Sequence, residues 1–321
     1  MPSAVKQYQR NHDIDNNNDN ISDLPSHLQP RRIKAMQAVD AAKERSCYIN
    51  SPEYWGQAKR DGSRLIVIAT PDTVYYQSRS RKMKRQPCEE INQALQEVAA
   101  KLGTFVLDGE LYYRSVTGSE HRTSSQAATV NATKKVKVSP TPTYAICKAL
   151  VFDGIDLTIA TEAERIAAGE SIGEYLREDF FEVLPTAKSL EEKIELALKQ
   201  ESEGREGEIW VLKDCVYQGG KDKHSQAMLR TKYCLELDLV ITDLTAVKGT
   251  GRPFNAAIVA QEVEDKLVPR GSLAIGFPLK DMQEIVRRHT AKPGSVKITV
   301  RCLGLTENGN LWHGRFIGLC E

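Results

Sequence analysis

Lys59, Arg60, Asp61 and Gly62 stand in the run GQAKRDGSRLIV, which ends in an apolar stretch of strand type. A lysine at the mouth of a strand has two chemistries open to it. It is a solvated charge in a turn, or it is an amine nucleophile. A nucleophile must lose its proton. A free lysine has a pKa of about 10.4, so roughly one in 2,500 is neutral at pH 7, and neutralising it costs about 4.6 kcal/mol unless neighbours help. Other segments supply candidate helpers. VLDGEL puts Asp108 and Glu110 on one face of a strand, with Gly109 between them allowing close approach. REGEIWVLK puts Glu206 before Gly207 at a strand start, and LRTKYCLELDLVI puts Arg230 and Lys232 on one face of an extended segment. Each alone reads as a surface ion pair or a strand edge. Together they offer one lysine, carboxylates for a hard cation or a hydroxyl, and two further cations, each beside a strand.

The elements that must position these groups follow from periodicity. RLIVIA and TVYYQS read as a hairpin. PCEEINQALQEVAAKLG carries Ile91, Ala94, Leu95, Val98 and Leu102 on one helical face and ends in Gly103. TFVLDGELYY, YAICKALVFDGI and GEIWVLKD read as strands, the second too apolar for a sheet edge, and SLEEKIELALKQ is a helix opened by a Ser189–Glu192 capping box. The alanine-rich segment 31–47 predicts a helix, and 115–143 reads as a long loop. From about Leu237 the rhythm changes to five strand-like runs, with the helix KDMQEIVRRH after the third, which is the order of an OB-fold barrel. The expected architecture is α+β: an Asn/Asp-rich unstructured segment 1–30, a first domain 31–236 built on antiparallel sheet, and an OB-fold domain 237–321.

Composition narrows the class. With 40% hydrophobic and 27% charged residues the chain reads as globular and water-soluble, and no apolar run reaches the ~18 residues of a membrane span. No basic-then-apolar leader is read, and the seven cysteines are odd in number and show no C-x-x-C pair. Reduced thiols in an intracellular protein are the expectation, without structural zinc. A net charge of +1 does not announce a nucleic-acid binder, although RSRKMKR (79–85) and KKVK (134–137) form local basic runs. The six histidines have no ligand spacing.

The ordered set resembles the covalent nucleotidyltransferases, and among them the small ATP-dependent DNA ligases of phage, viral or bacterial type, over about residues 50–321. Lys59-Arg60-Asp61-Gly62-Ser63-Arg64 is similar to the nucleophile motif, Ser78-Arg79 to the short motif on the next strand, and Asp108-Gly109-Glu110 to the third. Phe152-Asp153 is similar to the aromatic motif, Glu206-Gly207 to the fourth, and Arg230 with Lys232 to the basic pair. The resemblance implies an antiparallel-sheet adenylation domain followed by an OB-fold. Lys59 would attack the α-phosphate of ATP and carry AMP as a phosphoramidate. Lys232 and Arg230 would assist, and Mg²⁺ or another divalent cation would be held by Glu110 and Glu206. Gln57, Ala58, Arg64, Glu110, Phe152, Arg230 and Lys232 would line the nucleotide, with Arg64 on the ribose and Phe152 stacked on adenine. Ser78 and Arg79 would grip the 5′-phosphate of a nick in duplex DNA. A monomer is expected, with no membrane partner.

Three departures stand out. Gln57 occupies a position where many relatives carry a carboxylate, and an amide both accepts and donates. Arg230 stands where a lysine is usual. The sequence stops at RFIGLCE, where relatives often carry further basic residues, which makes Arg315 the candidate substitute. LVPRGS (267–272) is identical to a thrombin site but reads as native, because GSLAIGF continues from it as a strand. The lysine chemistry is shared with RNA ligases and mRNA-capping guanylyltransferases. A non-catalytic OB-fold nucleic-acid binder is the rival of a different class.

Overall fold

The computed structural model describes residues 21–320 apart from 42, 204, 221–224, 247–250, 265 and 307. Three antiparallel-rich sheets form the frame. The first runs β1 (Val39–Asp40), β13 (Met228–Lys232), β12 (Gly207–Leu212), β2 (Tyr54–Ala58), β11 (Thr186–Ala187). The second runs β10 (Phe181–Val183), β8 (Pro142–Phe152), β6 (Phe105–Arg114), β3 (Ser63–Ala69), β4 (Val74–Ser78), β5 (Met83–Lys84), with β7 (Glu120–His121) on β6 and β9 (Ile155–Asp156) on β8.

The second sheet is buried on both faces, which is why its central strand reads as an unbroken apolar run. Leu65, Val67 and Ala69 of β3 point to one side. There they meet Ile91, Leu95 and Val98 of helix α2 (Glu89–Leu102), the face read from the sequence. Ile66 and Ile68 point to the other side, where Leu24, Leu28 and Ile33 cover them. Residues 21–30 are therefore packed, with a short 3₁₀ turn at Ser26–Leu28, and are not the unstructured tail expected. Residues 1–20 lie outside the described residues. The helix expected over 31–47 is confined to α1 (Arg45–Ile49). Upstream the chain is extended, because Val39 and Asp40 add a parallel strand beside Leu229 and Arg230, and edge pairing overrides alanine's helix preference.

The expected loop 115–143 contains β7 and helix α3 (Ser124–Thr133), which opens with a reciprocal Thr123–Gln126 capping box. A second such box, Thr161–Glu164, opens the unforeseen helix α4 (Glu162–Gly173). Helix α5 (Leu190–Ser202) begins at its Ser189 cap.

The third sheet runs β16 (Lys266–Leu273), β15 (Ala257–Val263), β14 (Leu235–Leu244), β17 (Lys297–Cys302), β20 (Arg315–Leu319), all antiparallel. A ribbon of β18 (Gly304–Leu305) and β19 (Leu311–Trp312) lies before β20. Helix α6 (Leu279–Ala291) follows the third strand in the chain, as the sequence order predicts, and packs Met282 and Ile285 against Leu239, Ile298 and Phe316. The thrombin-like segment is itself strand β16, earlier than the GSLAIGF run expected, with Arg270 bonded to Gln261 Oε1 at 2.8 Å. Among the described residues no helix is long and apolar enough to cross a membrane. All seven cysteines are free thiols.

Candidate active site

Strand register assembles the lysine site. In the first sheet Ala58 lies opposite Glu208, and Gly207 opposite Lys232. Lys59 just beyond β2, Glu206 just before β12 and Lys232 at the end of β13 therefore meet at one sheet end. Gly207 makes the close approach feasible. Its φ is +139°, and a Cβ there would lie 2.0 Å from the Thr231 carbonyl oxygen. Glu206 is buried and both its oxygens are used. Lys59 Nζ donates to Oε2, and Lys232 Nζ lies 2.9 Å from Oε1. Burial alone would push this carboxyl up, but the two ammonium groups outweigh it and hold it below the usual carboxylate range.

The second sheet supplies a second constellation. Arg64 on β3 lies opposite Glu110 on β6 and forks onto Asp108, with Nε at 2.6 Å and Nη2 at 2.7 Å. Asp108 is fully buried and also accepts from the Tyr217 hydroxyl at 2.8 Å. Burial opposes the charge on Arg64, but Asp108 outweighs it and holds the guanidinium well above its ordinary pKa. Glu110 has the opposite balance. Burial pushes its carboxyl up to about 7, although Arg64 and Lys59 pull it down. Gly62 is needed here, since a Cβ would come 2.7 Å from Glu110 Cγ and 2.5 Å from the Leu111 carbonyl oxygen.

Gln57 is buried on β2, with its Nε2 donating to Thr186 Oγ1 at 3.0 Å and toward the Cys147 carbonyl oxygen at 3.4 Å. Ala58 is buried beside it. Phe152 is not part of this group. Ala145 of β8 lies opposite Glu110, and Val151 opposite Val106, so Phe152 falls roughly 23 Å along the strand from the Glu110 row at about 3.3 Å per residue. It packs on the α2 side of the core instead. The FDG string matched locally, but strand depth decides which residue reaches the site, and the β8 residue beside Gln57 is Cys147. Burial pushes that thiol up to about 12.

The remaining predicted residues sit at the margins. Arg230 reaches Asp40 Oδ1 at 2.6 Å and shares with Lys232 a cleft also lined by Arg301, His313 and Arg315. Ser78 ends β4 opposite Leu65, one row from Arg64, and its hydroxyl closes the following turn onto Lys82 at 3.1 Å. Arg79 is exposed in that turn. Among the described residues no cluster of three or more metal-ligating side chains occurs. Glu110 nevertheless suits a hard cation, because a half-buried carboxyl whose pKa is raised to about 7 is stabilised as the carboxylate by one, and Mg²⁺ usually takes only one or two protein carboxylates. Glu206, with both oxygens on lysines, fits that role only after a lysine leaves.

Sequence reasoning missed Tyr217, Cys147 and the cluster around the nucleophile turn. In that cluster Arg60 pairs with Glu120 at 2.8 Å and with Glu182, and Arg122 Nε lies 3.0 Å from Asp61 Oδ1. No local pattern marks these partners, which are brought in from up to 122 positions away.

This combination of a strand-end lysine, its carboxylate and a second lysine, all on antiparallel sheet, defines a nucleotidyltransferase-type scaffold. Residues 34–232 match the family described as ATP dependent DNA ligase domain. That span is more than half of the chain, and the chain belongs to this family of ligases. A search of curated proteins finds no match. Solved structures share the fold. A mycobacterial DNA ligase D complexed with ATP and MES is 19% identical, with 90% of this chain and 95% of that one covered and a TM-score of 0.52. The ligase domain of M. tuberculosis LigD gives 18%, 90%, 95% and 0.53. A Lig E DNA ligase, described as binding DNA with a minimal scaffold, gives 17%, 88%, 99% and 0.56.

Proposed function

We propose that this ligase seals 5′-phosphate/3′-hydroxyl nicks in duplex DNA through a lysyl-AMP intermediate on Lys59. The observation that carries the reading is the Lys59–Glu206–Lys232 triad inside the family-matched region. In the first step the N–P bond forms between Lys59 Nζ and the α-phosphate as the bridging P–O bond to pyrophosphate breaks. The attacking amine must be free of its proton. Glu206 holds Lys59 in place beforehand.

A divalent cation held by Glu110, with Glu206 as a second candidate, would supply charge neutralisation at the phosphates. Arg64, locked by Asp108, is a fixed donor suited to a ribose hydroxyl. Gln57, whose amide nitrogen is already committed to Thr186 and Cys147, keeps its oxygen for an amino group such as that of adenine. The cations around Arg230, Lys232 and Arg315 suit the departing pyrophosphate. AMP then passes to the nick 5′-phosphate, for which exposed Arg79 and Ser78 are the candidates, and the 3′-hydroxyl displaces AMP. All three steps are phosphoryl transfers, in which positioning and charge do most of the catalysis.

Residues 237–321 form, in this reading, an OB-fold domain that covers the duplex from the other side. Support comes from the strand order and from the Phe316 amide, which donates to the Ile275 carbonyl at 3.0 Å and so draws the chain after β16 toward β20. The protein acts as a monomer. The test is sealing of a nicked duplex, compared with nicked RNA, using ATP, GTP or NAD. The reading expects DNA sealing with ATP, lost in Lys59→Ala. Preference for GTP, or for RNA, would move the chain to a capping or RNA-ligase function.

A further inference from the structure

Lys59 and Glu206 share an awkward position. Strand β2 ends at Ala58 and β3 begins at Ser63, so Lys59 opens a four-residue turn outside the ladder. Glu206 likewise precedes β12. One backbone bond, from the Lys59 amide to the Gly207 carbonyl at 3.0 Å, and the Lys59–Glu206 ion pair tie the two ends, and a further contact holds the turn beyond Lys59 against the segment carrying Glu206.

Glu120 touches both. It comes from β7, on the segment the sequence reads as loop, and its side chain is 5% exposed. Its Oε1 accepts from Arg60 Nη1 at 2.8 Å and from Arg205 Nη1 at 3.1 Å. Its Oε2 accepts from the Asp61 amide at 3.2 Å. Arg60 directly follows Lys59, and Arg205 directly precedes Glu206.

We infer that Glu120 is a positioning residue for adenylylation, stapling the nucleophile turn to the segment that carries Glu206. Each arginine also has an acid of its own: Arg60 pairs with Glu182, and Arg205 with Glu203 Oε2 at 2.9 Å. Loss of Glu120 therefore leaves neither cation stranded. What is lost is the link between them, and with it the relative placement of Lys59 and Glu206. A misplacement near 1 Å can cost about 100-fold in rate while binding contacts persist. Glu120 touches neither nucleotide nor metal in this account, so ATP affinity depends on it little.

The inference rests on the lysyl-AMP reading, and the experiment separates the two. Single-turnover adenylylation is followed with labelled ATP and Mg²⁺ in wild type, Glu120→Ala, Arg205→Ala and the double variant, with melting temperature recorded for each. Glu120→Ala removes the oxygen that both arginines share and is expected to slow the step about 10- to 100-fold, with half-saturation by ATP within about twofold of wild type. Arg205→Ala, whose side chain is 25% exposed, is expected to reproduce part of this loss, and the double variant to be no slower than Glu120→Ala, because both break one link. Wild type that takes up no AMP removes the function reading itself. With wild type labelled, a Glu120→Ala chain of normal rate, additive losses in the double variant, or a defect lying wholly in ATP affinity overturns the staple. Should Glu120→Ala fail to fold, an unaffected Arg205→Ala overturns it alone.

Discussion

Glu110 gives the ligase a pH dependence that can be worked from its surroundings. Its carboxyl sits beside Arg64 and Lys59, yet burial dominates and lifts it from an ordinary 4.5 to about 7. Between those values the folded chain binds a proton that the unfolded chain has released. This group's contribution to stability is therefore fully present below about pH 4.5 and is lost as pH rises through about 7. At about 1.36 kcal/mol per pH unit the loss is roughly 3 kcal/mol. Glu110→Gln carries no titration there. Urea unfolding of both proteins, free of nucleotide and metal, at pH 5 and pH 8 measures the difference directly. Relative to wild type, Glu110→Gln is expected to gain about 2–3 kcal/mol between the two values, and Mg²⁺ at pH 8 is expected to narrow the gap by stabilising the wild-type carboxylate. Parallel pH dependences would refute the reasoning, because they would mean that Glu110 titrates alike in the folded and unfolded chains.

Three further outcomes follow from the geometry. Glu162 is the shared partner of Lys148 and Arg165, all three fully buried, so Glu162→Ala strands two cations and is expected to cost about 3–5 kcal/mol by chemical denaturation. A loss under about 1 kcal/mol would mean that water reaches the cluster. Arg79→Ala is expected to impair AMP transfer to nicked DNA more than self-adenylylation, compared in separate single-turnover assays, whereas equal losses would put Arg79 on ATP. Native protein is expected to resist thrombin at Arg270, which is held in a paired strand and bonded to Gln261 and to the Gly309 carbonyl. Cleavage at the rate of the unfolded chain would mean that the strand detaches.

Much of this site was legible because it lies on strands whose ends carry the chemistry. Lys59, Glu206 and Lys232 each stand beside an apolar run, which fixed their place at strand ends, while the ordered resemblance to the ligase motifs is what singled them out as candidates. The order of the C-terminal strands and the position of their helix were equally plain, since each run is short and bounded. Phe152 failed for a reason the same logic explains. YAICKALVFDGI shows no polar alternation, with Lys148 the one charge inside an otherwise apolar strand, so its pattern fixes neither register nor depth, and a local string chose the wrong end of an 11-residue strand. Glu120, Glu182 and Tyr217 could not be read at all. Each acts through a partner tens of residues away, and each stands in a segment with no periodicity. The segment 21–30 was misread because its apolar anchors, Ile21, Leu24 and Leu28, are few and spaced among polar residues, which is too little to signal a core from composition. The helix expected over 31–47 lost to strand pairing at Val39, a long-range effect that propensity does not contain.

The most direct test of the account is the site of covalent AMP. The ligase is incubated with ATP and Mg²⁺, digested, and the modified peptide sequenced by mass spectrometry. A single acid-labile, base-stable adduct is expected on Lys59, and none in a folded Lys59→Ala protein. AMP carried by Lys232 or any other residue, or a labelled Lys59→Ala chain, would contradict it.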